Sequence, residues 1–289
     1  MKLLPAYLAL WWFCMGLSLG ALANLWVHNL TGGAWGEPIR EPLLRLARAL
    51  PWLALLFIPV LIALPALYPW ADPAEHARWS GEVARPGFKS VWLQPGFFIA
   101  RSVVYLALWV VLGWLTTRQA YMRSQRFSAA ALLVYAVTGT LAAIDWVMSL
   151  MPLWYSTAFG LLVLVGQGLA GLSAAIVLAA ARGPRLVFGD LGNLVLVYVL
   201  TWAYLAFTQY LVIWAGNLPH EIAWYVPRVQ TGWAAVAVAL IAGHFFVPLL
   251  VLLSRDAKEA PRVLRGLAWS LLALHLVDVC WLVFPSVAA

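Results

Sequence analysis

Between Tyr155 and Ala181 the chain reads YSTAFGLLVLVGQGLAGLSAAIVLAAA, and none of these residues is charged. As a helix this run is about 40 Å long, more than a bilayer's hydrocarbon core of roughly 30 Å. Seven further apolar runs lie on either side, at 4–29, 51–68, 97–117, 127–149, 188–215, 231–253 and 263–284, each bounded by Pro, Gly or charge. The whole chain has 289 residues, 64% hydrophobic and 10% charged, whereas soluble domains carry roughly 25% charged residues. A water-soluble globule is excluded. A membrane β-barrel would show short alternating segments instead of long runs. The expectation is one all-α, polytopic membrane domain over residues 1–289, with eight transmembrane helices.

Basic loops stay on the cytoplasmic side. The connections after spans 1, 3, 5 and 7 hold twelve basic residues, among them Arg40, Arg123, Arg182 and Lys258, against five acidic ones. The other side holds six of each. The net charge of +7 therefore marks an inner face rather than a nucleic-acid footprint. Both termini are expected to be extracytoplasmic. Lys2, the apolar run and Ala21-Leu22-Ala23 resemble a secretory signal, but the run exceeds the usual ~7–15 residues and continues through Trp26.

Many of the 18 Trp, including Trp52, Trp70, Trp92, Trp146, Trp154, Trp214, Trp224, Trp233 and Trp281, fall near span ends, as an interfacial aromatic belt requires. Cys14 and Cys280 lack metal-site spacing and read as packing residues. Residues 69–96 contain Pro69, Pro73, Pro86 and Pro95 and are expected to fold over the outer mouth of the bundle. A short echo relates residues 145–155 to 214–225, both running through Leu and Pro to Trp-Tyr. It suits two related four-helix bundles.

Ionisable groups inside a bilayer are costly and need partners or a wet cavity. Arg101, Asp145, Gln209 and Asp278 fall at one outer level, roughly 6–9 Å deep by residue count. They read either as a polar pocket able to take a proton or hold a quinone head group, or, for Arg101 and Asp145, as a structural ion pair. His275 and Asp278 share a helix face, and span 8 offers Asp278 no cation. Burial without a counter-charge favours a carboxyl that keeps its proton, the property of a proton carrier. His244 and His275 are the one pair able to sandwich a haem, at depths about 6 Å apart. Gln167, within Gly166-Gln167-Gly168, reads as an interhelical hydrogen-bonding group. Span 6 is unusually polar, and Tyr204 and Thr208, with Tyr105 on span 3, are candidate cavity-lining residues. His220 and Glu221 form the only His-Glu pair, either a proton or docking element or a solvated turn. No catalytic triad, phosphate-cradling loop or metal-ligand cluster is recognisable.

Five stretches share one pattern. They are Leu30-Thr31-Gly32-Gly33-Ala34-Trp35-Gly36, Leu67-Tyr68-Pro69-Trp70-Ala71, and Phe98-Ile99-Ala100-Arg101 with Tyr105 and Trp109. The fourth is Asp145-Trp146-Val147-Met148-Ser149-Leu150 with Trp154-Tyr155-Ser156-Thr157, and the fifth Gln209–Trp214 leading into Gly216-Asn217-Leu218-Pro219-His220-Glu221-Ile222. Together they resemble the F subunit of bacterial alternative complex III, a quinol:cytochrome c oxidoreductase, a relative of the polysulfide-reductase-like (NrfD-like) membrane subunits.

The resemblance implies a subunit of the bacterial inner membrane, without covalently bound cofactors or metal, beside a homologous NrfD-like subunit, an extracytoplasmic iron–sulfur protein and haem c subunits. A terminal oxidase is a further implied neighbour. It implies Asp145, His220, Glu221 and Asp278 as proton-path or quinone-proximal groups, with Arg101 as their counter-charge. Family members continue past the equivalent of Phe284-Pro285 into further helices. A proton-coupled transporter, a structural anchor and a haem-b protein are the competing readings.

Overall fold

The computed structural model describes residues 3–73, 89, 91–179 and 185–288. These form an all-α multi-pass membrane architecture, with no strand among the described residues. Eight helical stretches are long and apolar enough to cross a membrane: Leu3–Thr31, Ala34–Ile62, Pro95–Thr116, Gln125–Leu150, Phe159–Leu178, Val187–Gly216, Trp233–Leu253 and Pro261–Val287. They are spans 1 to 8 below.

Spans 1 and 5 form the centre and pack on each other more extensively than any other pair. Span 1 also contacts spans 2, 4 and 8, and span 5 contacts spans 4, 6 and 8. The two four-helix groups, spans 1–4 and spans 5–8, thus meet most extensively through their first helices, and also where span 1 touches span 8 and span 5 touches spans 2 and 4. Small residues permit it: a Cβ on Gly20 would lie 1.8 Å from the Gln167 carbonyl oxygen, and one on Gly171 would lie 2.4 Å from the Ala21 nitrogen. The Asn24 amide fastens the crossing, donating to the carbonyls of Gly20 and Gly168, each at 2.8 Å. Close backbone approach through small residues is how membrane helices associate where no hydrophobic force separates protein from lipid.

Span 2 departs from the run at 51–68. Its helical path starts at Ala34 and breaks into Glu37–Ala47, Leu50–Leu55, Ile58–Ile62 and Leu64–Leu67, each with Pro in its first turn. Proline fits a first turn because its missing N–H has no helical partner there, but it halts the turn before it. One result is that Arg40, expected in a loop, is on a helix and buried. It donates to Asn29 Oδ1 and the Met122 carbonyl. Span 7 carries a π-helical turn at Ile241–Phe246. Pro248 removes the N–H that would reach the His244 carbonyl in an α-helix, a recognised cause of such irregularities.

The expected aromatic belt is only partly present. Trp52 and Trp214 are 71% and 65% exposed, but Trp70, Trp146, Trp154 and Trp224 are buried. Trp146 packs edge-on against Trp11, Trp12 and Trp109, and Trp154 stacks on Trp224 at 4.7 Å. Rings at span ends serve tertiary packing wherever another span end lies over them. Cys14 and Cys280 are free thiols. Most of the 69–96 segment, residues 74–88 and 90, lies outside the described residues. Its described end touches the link between spans 4 and 5, where Lys89 donates to the Pro152 carbonyl.

Candidate functional site

Two buried carboxylates occupy the same end of the bundle and differ in every contact. Asp145, on span 4, is fully buried. Arg101, from span 3, grips it with both oxygens engaged: Nε to Oδ2 and Nη2 to Oδ1, each at 2.9 Å. Trp92 Nε1 donates to Oδ1 at 2.8 Å and the Tyr105 hydroxyl to Oδ2 at 3.1 Å. The guanidinium sits in the corner of an edge-to-face ring pair, 4.0 and 4.3 Å from the centroids of Trp92 and Phe97. A bidentate pair braced by two rings, with four donors on one carboxylate, is a clamp. Tyr105, a cavity candidate by sequence, is a member of this clamp, and Arg101 pairs with Asp145 rather than with Asp278.

Among the described residues Asp278, on span 8, has no arginine and no such set of donors. The titratable side chain beside it is His275, with Nδ1 4.0 Å from Oδ2, too far for a hydrogen bond. The Trp202 indole lies beside the carboxyl. A small cavity of about 10 Å³, lined by Trp12, Gly166, Gln167, His275 and Asp278, adjoins it. That is the space one water centre requires. Gln167 presents a buried, unpartnered Nε2 while its Oε1 accepts from Tyr135 at 2.7 Å. His244, with both ring nitrogens buried and unpartnered, faces His275 in a stacked pair 6.4 Å between centroids. Residue counting separates these rings by about 6 Å in depth, and the 6.4 Å between their centroids is of that size; His244 lies within the π-helical turn of span 7.

Asp278 also lines a second, far larger space. A cleft of about 630 Å³ lies between spans 6, 7 and 8 and takes in Trp202, Tyr204, Gln209, Tyr225, Trp281 and Asp278. Gln209 accepts from Ser156 at 2.9 Å, and its amide approaches the Tyr225 hydroxyl at 3.5 Å. Burial pushes the Tyr225 hydroxyl pKa up. The cleft opens on the apolar outer surface, where Tyr204 is 67% exposed. Thr208 is half-buried and outside the cleft lining.

Of the sequence candidates, Arg101, Asp145 and Tyr105 thus form one cluster, while Gln209, Tyr204, His275 and Asp278 lie at the other. The single polar level resolves into two sites, separated by Trp12, which lines the small cavity and packs edge-on against Trp146. His220 is exposed, stacked on Tyr155 at 6.2 Å, and neither it nor Glu221 lines the cleft. Sequence reasoning overlooked Arg228, counted only as an outer basic residue. It is fully buried, 3.5 Å from the Trp224 ring centroid, and donates to the carbonyls of Trp224 and Leu282 and to Ser286. Burial lowers its guanidinium to about 9, so it stays charged at neutral pH. Its aromatic and apolar surroundings, Trp224-Tyr225-Val226-Pro227 before it, were the available signal.

No protein-family model and no curated protein matches the chain.

Proposed function

We propose that this chain is an integral membrane subunit of a quinol-oxidising respiratory electron-transfer complex in a bacterial inner membrane, contributing quinone-site architecture and a proton path. Both termini and the Asp145 end then face outward, beneath an extracytoplasmic iron–sulfur protein and haem c partners, with a homologous membrane subunit alongside. The five-stretch resemblance supports the family part of this reading.

One observation supports its chemistry: Asp278 lies between an apolar cleft and a water-sized cavity. A carboxyl with access to both, and no arginine or lysine fixing its charge, can take a proton from the cleft side. It can release that proton to water held by His275 and Gln167. Asp145 cannot, because four donors hold its oxygens.

Purification through a tag in mild detergent tests the reading. The expected product carries the absorbance of haem c and iron–sulfur partners. A colourless, solitary protein that catalyses proton-coupled uptake in vesicles would overturn it in favour of a transporter.

A further inference from the structure

We propose that the lipid-exposed face of span 2 is a docking surface for a transmembrane helix of another protein, one that carries hydroxyl, amide or indole donors two turns apart. The inference concerns a different span from the cleft and does not depend on the quinol reading.

It starts from how the chain treats the broken backbone of span 2 on its inner side. Where the short helices meet, the Phe57 N–H turns to the Ala54 carbonyl and the Val60 N–H to the Phe57 carbonyl. The carbonyls of Leu53 and Leu56 thereby lose their helical donors. Span 1 supplies replacements. Trp11 Nε1 donates to the Leu53 carbonyl at 2.7 Å, the Tyr7 hydroxyl to Leu56 at 2.5 Å and the Ser18 hydroxyl to Leu46 at 2.9 Å. Tyr7, Trp11 and Ser18 follow one another at four and seven residues, the spacing of a single helix face.

The outer side has the same defect without the remedy. Pro59 and Pro65 have no N–H to give the carbonyls of Leu55 and Leu61, and among the described residues no turn or loop N–H takes their place. Both prolines are exposed, as are Leu55, Ile58 and Ile62, the last at 77%. From Leu50 to Leu67 the chain has no charge, and its one polar side chain is that of Trp52, so this face meets hydrocarbon. Backbone outside a regular helix is tolerated at such depth only against protein or a wet cavity. Acyl chains have no donor to offer. A partner helix can do outside what span 1 does inside: donors at i and i+7 lie about 10 Å apart, and Leu55 and Leu61 about 9 Å.

A second copy of the chain fits less well. An isologous pair in one membrane turns about the membrane normal, so span 2 would meet span 2 in parallel and at equal depth. The Trp52 indole would then lie about 13 Å along the axis from the level of Leu61, leaving that carbonyl unmet.

The test uses the full chain in its native membrane, with a benzophenone amino acid in place of Ile58 or Ile62. After irradiation the adducts are mapped by mass spectrometry. The expected adduct is a transmembrane peptide of a different protein with Ser, Thr, Asn, Gln, Tyr or Trp within one turn of the attachment point. The same probe at Leu250, on span 7 and also exposed, should give phospholipid adducts. Pro59→Ala and Pro65→Ala each restore an N–H to span 2, and each should lower the peptide yield about fivefold, the worth of one hydrogen bond, without lowering the melting temperature. The identity of the peptide is read in the chain with both prolines, so it decides even where a proline variant fails to fold. Phospholipid adducts alone at Ile58 and Ile62, a peptide without donors, a peptide from a second copy, equal peptide yield at Leu250, or undiminished yield in both proline variants would each overturn the proposal.

Discussion

Asp145 and Asp278 are the same side chain at the same end of two four-helix groups, on the last span of each, and their surroundings give them opposite properties. In the first group the acid meets an arginine from the neighbouring span, an indole and a phenol, and every acceptor position is taken. In the second group the arginine is displaced: Arg228 lies in the link before span 7 and bonds backbone carbonyls and Ser286. Asp278 is left with one indole, Trp202, an imidazole at 4.0 Å, a water-sized cavity and an open cleft. The contrast teaches that burial alone does not make a carboxylate functional. What matters is whether donors have already filled it.

The comparison can be broken most directly at the clamp. Asp145→Ala leaves Arg101 buried and unpaired, which typically costs about 3–5 kcal/mol. Detergent-extracted protein should elute as aggregate in size-exclusion chromatography, and a monodisperse variant of unchanged melting temperature would dissolve the distinction between the two acids. The junction of the groups comes next. Gly20→Val places a branched side chain on the Gln167 carbonyl, and overpacking of this kind costs about 1–3 kcal/mol or more. Thermal melts should fall well below the parent, and Gly32→Ala, at a position with open space but positive φ, should cost less.

A loss of at most similar size is expected from Tyr105→Phe, which removes one of the four donors to Asp145 at a cost of about 1.5–3 kcal/mol for a bond to a charged group, read in the same melts. The smallest effect on stability belongs to Asp278→Asn. With no ion pair to break, it should shift stability by less than about 1 kcal/mol, near the range of neutral substitutions. Quinol-driven turnover of the assembled complex should nonetheless fall. Normal turnover with normal assembly would remove Asp278 from the mechanism.

Much of this was legible in the residues alone. Charge-free runs such as 155–181 fix where helices cross, because a lipid environment leaves a chain no other way to satisfy its backbone. The pairing of Arg101 with Asp145 was also within reach, since both lie at comparable depth on adjacent spans and neither is tolerable in lipid alone. Span 2 was harder. Its prolines signal breaks but not that each break would start a new short helix, and the burial of Arg40 follows from that path.

The linear chain by itself therefore determined the all-α membrane architecture and the short set of polar groups that need an explanation, since hydrocarbon penalises each exposed polar atom regardless of what surrounds it. Only the tertiary structure decided which acid is clamped and which is left open. It also decided that His244 stacks on His275, that Arg228 is buried, and that the cleft opens beside Asp278. Those outcomes depend on how helices rotate and cross at contacts such as Gly20 against Gln167, which join positions roughly 150 residues apart. A periodicity read along one helix carries no information about the face another helix will cover.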